Sequence, residues 1–218
     1  MIAIAGGKGG AGKTTTALGL AAALPGTPTV VDADWDLPNL HALAGVDRDP
    51  TAAALTAAAN AVPREFPLAV PGGDDAPPPT EATRSVRVVP APRPSVDPDP
   101  AAVFTRADRL GGDDPVLLDC PAGAAPDAAA PLRSADASVL VTPLSAPALR
   151  DTVKTAALAR ALDAPPVGTV LVRARKRPPG VADLLGCPTL TAVPPVPAPV
   201  LDRSDPRAAY AEAATALD

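Results

Sequence analysis

Short apolar runs of three or four residues punctuate this chain, and longer alanine- and leucine-bearing stretches separate them. The runs at 2–5, 29–31, 86–89, 116–118, 138–141, 169–172 and 190–193 are continuous rather than alternating. Strands buried on both faces have that pattern. The stretches at 13–24, 51–59, 100–110, 127–133, 146–162 and 206–217 carry their apolar residues at helical spacing. Strand and helix in alternation predict a mostly parallel twisted sheet with helices on both faces, a three-layer α/β architecture. The 218 residues fit one domain better than two. Residues 63–99 are rich in proline and aspartate, include Pro77-Pro78-Pro79, and read as an elaborated loop interrupted by one strand at 87–89. A second proline-rich piece spans 194–199.

Composition narrows the chemistry. Only 2% of residues are aromatic, so the core must be aliphatic and alanine-rich. The chain has 21 Asp against 3 Glu, and 15 Arg against 4 Lys, with net charge −5. That balance excludes a globally basic nucleic-acid binder. Scarce lysine with abundant aspartate points to a salt-loving source, and a GC-rich genome would produce part of the same bias. Cys120 and Cys187 lie far apart and form no metal-binding pair, so a reducing cytoplasm is the expected setting. No apolar run approaches the roughly 18 residues of a membrane span.

The strand at 2–5 runs directly into Gly7-Lys8-Gly9-Gly10-Ala11-Gly12-Lys13-Thr14, which satisfies G-x-x-x-x-G-K-[ST] before a helix. Glycines at such positions admit left-handed backbone and bring successive N–H groups to a phosphate. The helix beginning near Lys13 points its positive end at the same anion. Lys13 is expected to bridge the β- and γ-phosphates of a nucleotide, the Thr14 hydroxyl to ligate Mg²⁺, and Thr15 to reach the α-phosphate. The strands at 29–31 and 116–118 end in Asp32-Ala33-Asp34 and Asp119. In a parallel sheet these carboxylates emerge on the edge carrying the glycine loop, where ligands bind. One is required to hold hydrated Mg²⁺ and another to orient water.

The stretch KGGAGKTTT resembles the deviant Walker A motif of the MinD/ParA family of P-loop ATPases. The resemblance implies the P-loop NTPase fold, ATP and Mg²⁺ as ligands, and an ATP-dependent homodimer in which Lys8 reaches the partner's phosphates. Asp119-Cys120-Pro121-Ala122-Gly123 is similar to the family's Walker B and switch II segment. Asp119 would then hold Mg²⁺ through water, and the Gly123 amide would sense the γ-phosphate. The segment 32–40 is similar to switch I, with Asp34 positioning the water, Asp32 supporting the metal, and Asn39 on the family pattern. Arg150-Asp151 also has counterparts in MinD-like chains.

The resemblance thins at the base-reading end. Arg173-Ala174-Arg175-Lys176-Arg177-Pro178 stands where the family commonly carries asparagine, and 193–200 lacks the usual acid. Prolines and Arg173 would clamp the purine by packing. The basic cluster also permits DNA contact, although overall acidity favours a solvated or nucleotide-facing patch. The C-terminal stretch has no basic amphipathic face, so direct membrane binding is not expected. An iron–sulfur carrier of the related Mrp type would need a cysteine pair there, and none is present. Trp35 is open to two readings, a dimer contact or internal packing. Two functions remain: a nucleotide-controlled ATPase switch that positions cellular machinery (a division site, a motility apparatus or DNA) through an unknown protein partner, or a regulatory module that binds nucleotide with little hydrolysis.

Overall fold

The computed structural model describes residues 1–57, 64–67 and 85–217. Eight strands form one sheet in the order β3-β4-β2-β5-β1-β6-β7-β8. They are β1 (Ile2–Gly6), β2 (Thr29–Asp32), β3 (Arg64–Pro67), β4 (Ser85–Val89), β5 (Val116–Ala122), β6 (Ala137–Pro143), β7 (Pro166–Val172) and β8 (Thr189–Val193). Every pairing is parallel except β3 with β4, which is antiparallel. The seven expected strands are all present. The addition is β3, which lies within the segment expected to hold a single strand. It is an edge strand ending on proline, a residue tolerated in a sheet only where no ladder donor is required, and four residues are too few to show a period.

The helices are α1 (Lys13–Ala23), α2 (Leu40–Ala44), α3 (Ala53–Ala57), α4 (Pro100–Gly111), α5 (Pro126–Ser134), α6 (Ala146–Ala161), α7 (Pro179–Leu185) and α8 (Ser204–Thr215). Two short ones, α2 and α7, stand in stretches given no helix above, because five to seven residues carry too little periodicity. The last residues of the helix expected over 51–59 fall outside the described residues. Helix α4 starts as its sequence requires: the Asp99 carboxylate accepts the Ala101 amide proton, and Pro100 takes the first helical position.

Successive residues of the central strand face opposite layers. Ile4 packs with Leu18, Leu20, Val30 and Tyr210 on the face covered by α1, α2 and α8. Ala3 and Ala5 pack with Phe104, Leu118 and Leu132 on the face covered by α4 and α5. With both faces buried, strands read as continuous apolar runs, which explains the pattern along the chain. Large side chains are few, so close approach replaces bulk. A Cβ on Gly19 would lie 2.3 Å from the ring of Tyr210, so α1 and α8 meet where one side has no side chain. Chain order reverses at β1: β5, β2 and β4 lie on one side, β6, β7 and β8 on the other. Such a reversal opens a crevice at the C-terminal ends of the strands.

Candidate functional site

The loop from β1 to α1 occupies that crevice. Gly10 and Gly12 have φ of 68° and 89°, a region glycine enters without penalty. A Cβ on Gly9 or Gly10 would meet nothing within 4 Å, so their backbone faces open space. Gly7 is constrained in the opposite way: a Cβ there would lie 2.3 Å from the Asp151 carbonyl carbon on α6. The loop is thus wedged at its base and open at its crown. Lys8 is exposed on that crown, while Lys13 is buried at the start of α1. Ala11 is buried, and Thr14 and Thr15 are partly exposed in the first turn of the helix.

Asp32 and Asp119 end adjacent strands and are register partners. Both are buried, at 0% and 2% exposure. Burial, and for Asp32 the neighbouring Asp119, push each carboxyl up to about 7. Asp32 is held by the backbone of the following segment. The Asp34 amide donates to its Oδ1 and the Leu40 amide to its Oδ2, both at 3.2 Å. Asp119 is less provided for. The Thr14 hydroxyl and the Lys13 ammonium counter its rise, yet its Oδ1 is buried without a partner among the described residues. An orphaned carboxylate oxygen close to a hydroxyl is the kind of oxygen ligand a hydrated divalent cation takes. The residues present fit Mg²⁺ with phosphate and water as its remaining ligands.

The segment after β2 folds back over this pair. Asp34 is partly exposed and accepts the Leu37 amide proton at 3.1 Å. The Thr14 hydroxyl donates to Asn39 Oδ1 at 2.9 Å, tying α1 to the same segment. Trp35 donates its indole proton to the Asp32 carbonyl at 3.1 Å and packs on Phe104, ring centroids 6.2 Å apart. The indole thus has an internal packing role. On the other strand end, Gly123 has φ 89° and its amide donates to the Gly6 carbonyl at 2.9 Å. Thr155 of α6 donates to the Gly123 carbonyl at 3.3 Å.

Three contacts at the site were not legible beforehand. Asp151 pairs with Lys154 at 3.1 Å, not with Arg150, and its backbone is what wedges Gly7. Arg173 takes a left-handed φ of 52° and donates to the Gly10 carbonyl at 3.0 Å. Arg177 is spent on Glu212, which also accepts from Thr191 at 2.8 Å. The expected basic cluster is therefore divided. Arg175 and Lys176 are exposed, while its two ends are tied to the glycine loop and to α8. Cys120 and Cys187 are buried thiols, and burial raises that of Cys120. No helix among the described residues is long and apolar enough to cross a membrane.

A sheet reversing at β1, a glycine loop feeding a helix, and paired buried aspartates beside it are the frame of a P-loop nucleotide site. The profile of the CobQ/CobB/MinD/ParA nucleotide binding domain family matches residues 2–195. The chain belongs to this family. It has the three-layer α/β fold of the MinD/ParA family of P-loop ATPases. Among solved structures it is similar to the cell division ATPase MinD of Pyrococcus furiosus, at 28% identity and TM-score 0.77 over 99% of this chain and 97% of that one. The septum site-determining protein MinD of Pyrococcus horikoshii, complexed with Mg-ADP, is 25% identical, with TM-score 0.76 over 100% and 95%. Cobyrinic acid a,c-diamide synthase of Mycobacterium smegmatis, with bound ADP and magnesium, is 21% identical, with TM-score 0.68 over 99% and 93%. At that identity the likeness concerns the fold. None of the curated proteins matches the chain.

Proposed function

We propose that this protein binds Mg-ATP, pairs with a second copy while ATP is bound, and hydrolyses it to release the pair and its cargo. The observation that carries the reading is the buried Asp32–Asp119 pair, with an orphan Asp119 oxygen, beside Lys13 and Thr14. The amides of Gly7, Gly9, Gly10, Ala11 and Gly12 cradle the phosphates, and the α1 N-terminus adds its dipole. Lys13 neutralises the β/γ-phosphate oxygens, and Thr15 donates to the α-phosphate. The Thr14 hydroxyl, Asp119 and Asp32 would hold Mg²⁺, directly or through water. Bound there, the cation would supply charge neutralisation to the phosphates. Asp34 orients the attacking water, the Gly123 amide turns from the Gly6 carbonyl to the γ-phosphate when nucleotide binds, and Lys8 of each copy reaches the nucleotide of the other. Exposure of Lys8 on the crown of the loop supports that last role.

The output is positional: division site, motility apparatus or DNA, through a protein partner. The two MinD structures support this assignment. The charge balance supports a salt-adapted cytoplasmic protein. Helix α8 buries Ala209, Tyr210, Ala213 and Ala214 against the body of the protein, which removes its apolar residues from a membrane role. The test is phosphate release with Mg-ATP in high KCl, alongside light scattering after size exclusion. Turnover that vanishes in Asp34→Ala, with a dimer trapped by that variant, is the expected result. Equal turnover in the variant, or a monomer under every condition, refutes the mechanism.

A further inference from the structure

Asn39 stands at the position that opens α2, where an asparagine ordinarily caps the helix with its own side chain. Here that side chain makes no cap bond. Its Oδ1 instead accepts the Thr14 hydroxyl proton at 2.9 Å, and the Leu40 amide at the head of α2 is taken by Asp32 Oδ2. Thr14 is equally out of pattern. Thr152, Thr155 and Thr215 each donate to the carbonyl four residues back in their own helices, those of Ala148, Asp151 and Ala211. That is a common outlet for a threonine in a helix. The carbonyl four residues back from Thr14 is that of Gly10, and it accepts from Arg173. The Thr14 proton crosses 25 positions of chain to reach Asn39. Two residues thus forgo their local partners to meet each other. Asn39 is exposed, so burial does not force the contact.

A hydroxyl has one proton and two lone pairs, and its proton turns to suit the surroundings. An acceptor at hydrogen-bond distance fixes where the proton points and leaves both lone pairs for a cation. Asn39 Oδ1 is such an acceptor. As an amide it adds no charge to a site that already holds Asp32, Asp34 and Asp119. The same hydroxyl lies close enough to Asp119 to offset part of the rise in its pKa. Thr14 therefore neighbours both the carboxylate with the orphaned oxygen and Asn39. A group bound to a cation becomes more acidic, so a hydroxyl that ligates a metal donates its proton more strongly. Metal binding and the Thr14–Asn39 bond then support one another. Partners that orient a metal's ligands in this way matter to affinity nearly as much as the ligands do.

We propose that Asn39 is a positioning residue for the metal site, holding the Thr14 hydroxyl in the orientation that presents its lone pairs to the cation. The inference rests on the nucleotide reading above. Calorimetric titration of the full chain with the imido analogue of ATP, once with Mg²⁺ and once with EDTA, tests it. The ratio of the two affinities is the metal's contribution. Asn39→Leu keeps the size of the side chain and removes the acceptor. It is expected to cut that ratio by about tenfold, the lower end for losing a residue that orients a metal ligand, and to leave the affinity in EDTA unchanged. Asn39→Asp keeps the acceptor and should keep the ratio. An equal loss with and without Mg²⁺ in Asn39→Leu would make the residue a structural brace and overturns the proposal. So does an undiminished ratio in Asn39→Leu, or a ratio lost in Asn39→Asp as well, since an acceptor would then not be what the site needs. If wild type binds the analogue equally with and without Mg²⁺, or does not bind it, the nucleotide reading itself fails and this inference with it.

Discussion

Asp119→Asn separates what this site costs from what it does. In the ligand-free protein the Asp119 carboxyl is buried, its Oδ1 has no partner, and its pKa stands at about 7 against an ordinary 3.8. A group whose folded pKa is raised makes the folded state the better proton binder. Below about pH 4 the carboxyl is protonated in both states and costs nothing. Between there and pH 7 folding must take up a proton, so stability falls as pH rises; above 7 the penalty is constant. The displacement corresponds to at most about 4 kcal/mol. Asparagine removes the charge but leaves a buried amide in want of partners, which costs about 1–3 kcal/mol. The net gain at pH 8 is therefore about 2 kcal/mol, or a Tm higher by roughly 4–8 °C for a chain of this size. Urea unfolding of wild type and variant, without Mg²⁺ or nucleotide, at pH 4.5, 6 and 8 reads it directly. The variant's relative stability should climb across that series, while Mg-dependent nucleotide binding is lost. A difference independent of pH, or an Asp119→Asn protein less stable than wild type at pH 8, refutes the argument. The site would then not store the cost of a buried, incompletely satisfied Asp119 carboxylate.

Three further outcomes follow from the packing. Gly19→Ala places a Cβ 2.3 Å from the buried Tyr210 ring, and overpacking of about 1–3 kcal/mol should outweigh the helix-propensity gain of about 1 kcal/mol; thermal melts would show it, and Tyr210→Leu should relieve it in the double variant. Trp35 is the one tryptophan and lies between Asp32 and Phe104. Its emission should therefore shift when Mg-ATP reorganises residues 32–40, and an unchanged spectrum at saturation would show that the segment stays put. Glu212→Gln breaks a half-exposed ion pair with Arg177; the loss should stay under about 1 kcal/mol and shrink as KCl rises, so a large, salt-independent loss would contradict a solvent-screened contact.

Local chemistry and long-range contact divide what could be known in advance. Gly7 to Thr14 was legible because a phosphate cradle is a property of consecutive backbone groups. The seven buried strands were legible because burial on both faces forces continuous apolar runs. Asp32, Asp34 and Asp119 could be placed at one edge because parallel strands share a direction, so their ends must meet. Those inferences need only order along the chain. They could not supply the antiparallel β3, whose four residues have no readable period and whose partner lies about twenty positions on. They could not reveal that the Asp151 backbone wedges Gly7, or that Tyr210 fills the space Gly19 leaves. Nor could they show that Arg173 turns back onto Gly10 while Arg177 is spent on Glu212. Each of these depends on which surfaces the folded layers bring within a few ångströms, across as many as 191 positions in the Gly19–Tyr210 contact. The sequence by itself determined the fold class and the place of the glycine loop between β1 and α1, because both depend only on neighbouring residues and strand direction. Tertiary structure decided the protonation of the buried aspartates and the division of the basic cluster. Desolvation and pairing are fixed only when distant segments exclude water from the same place.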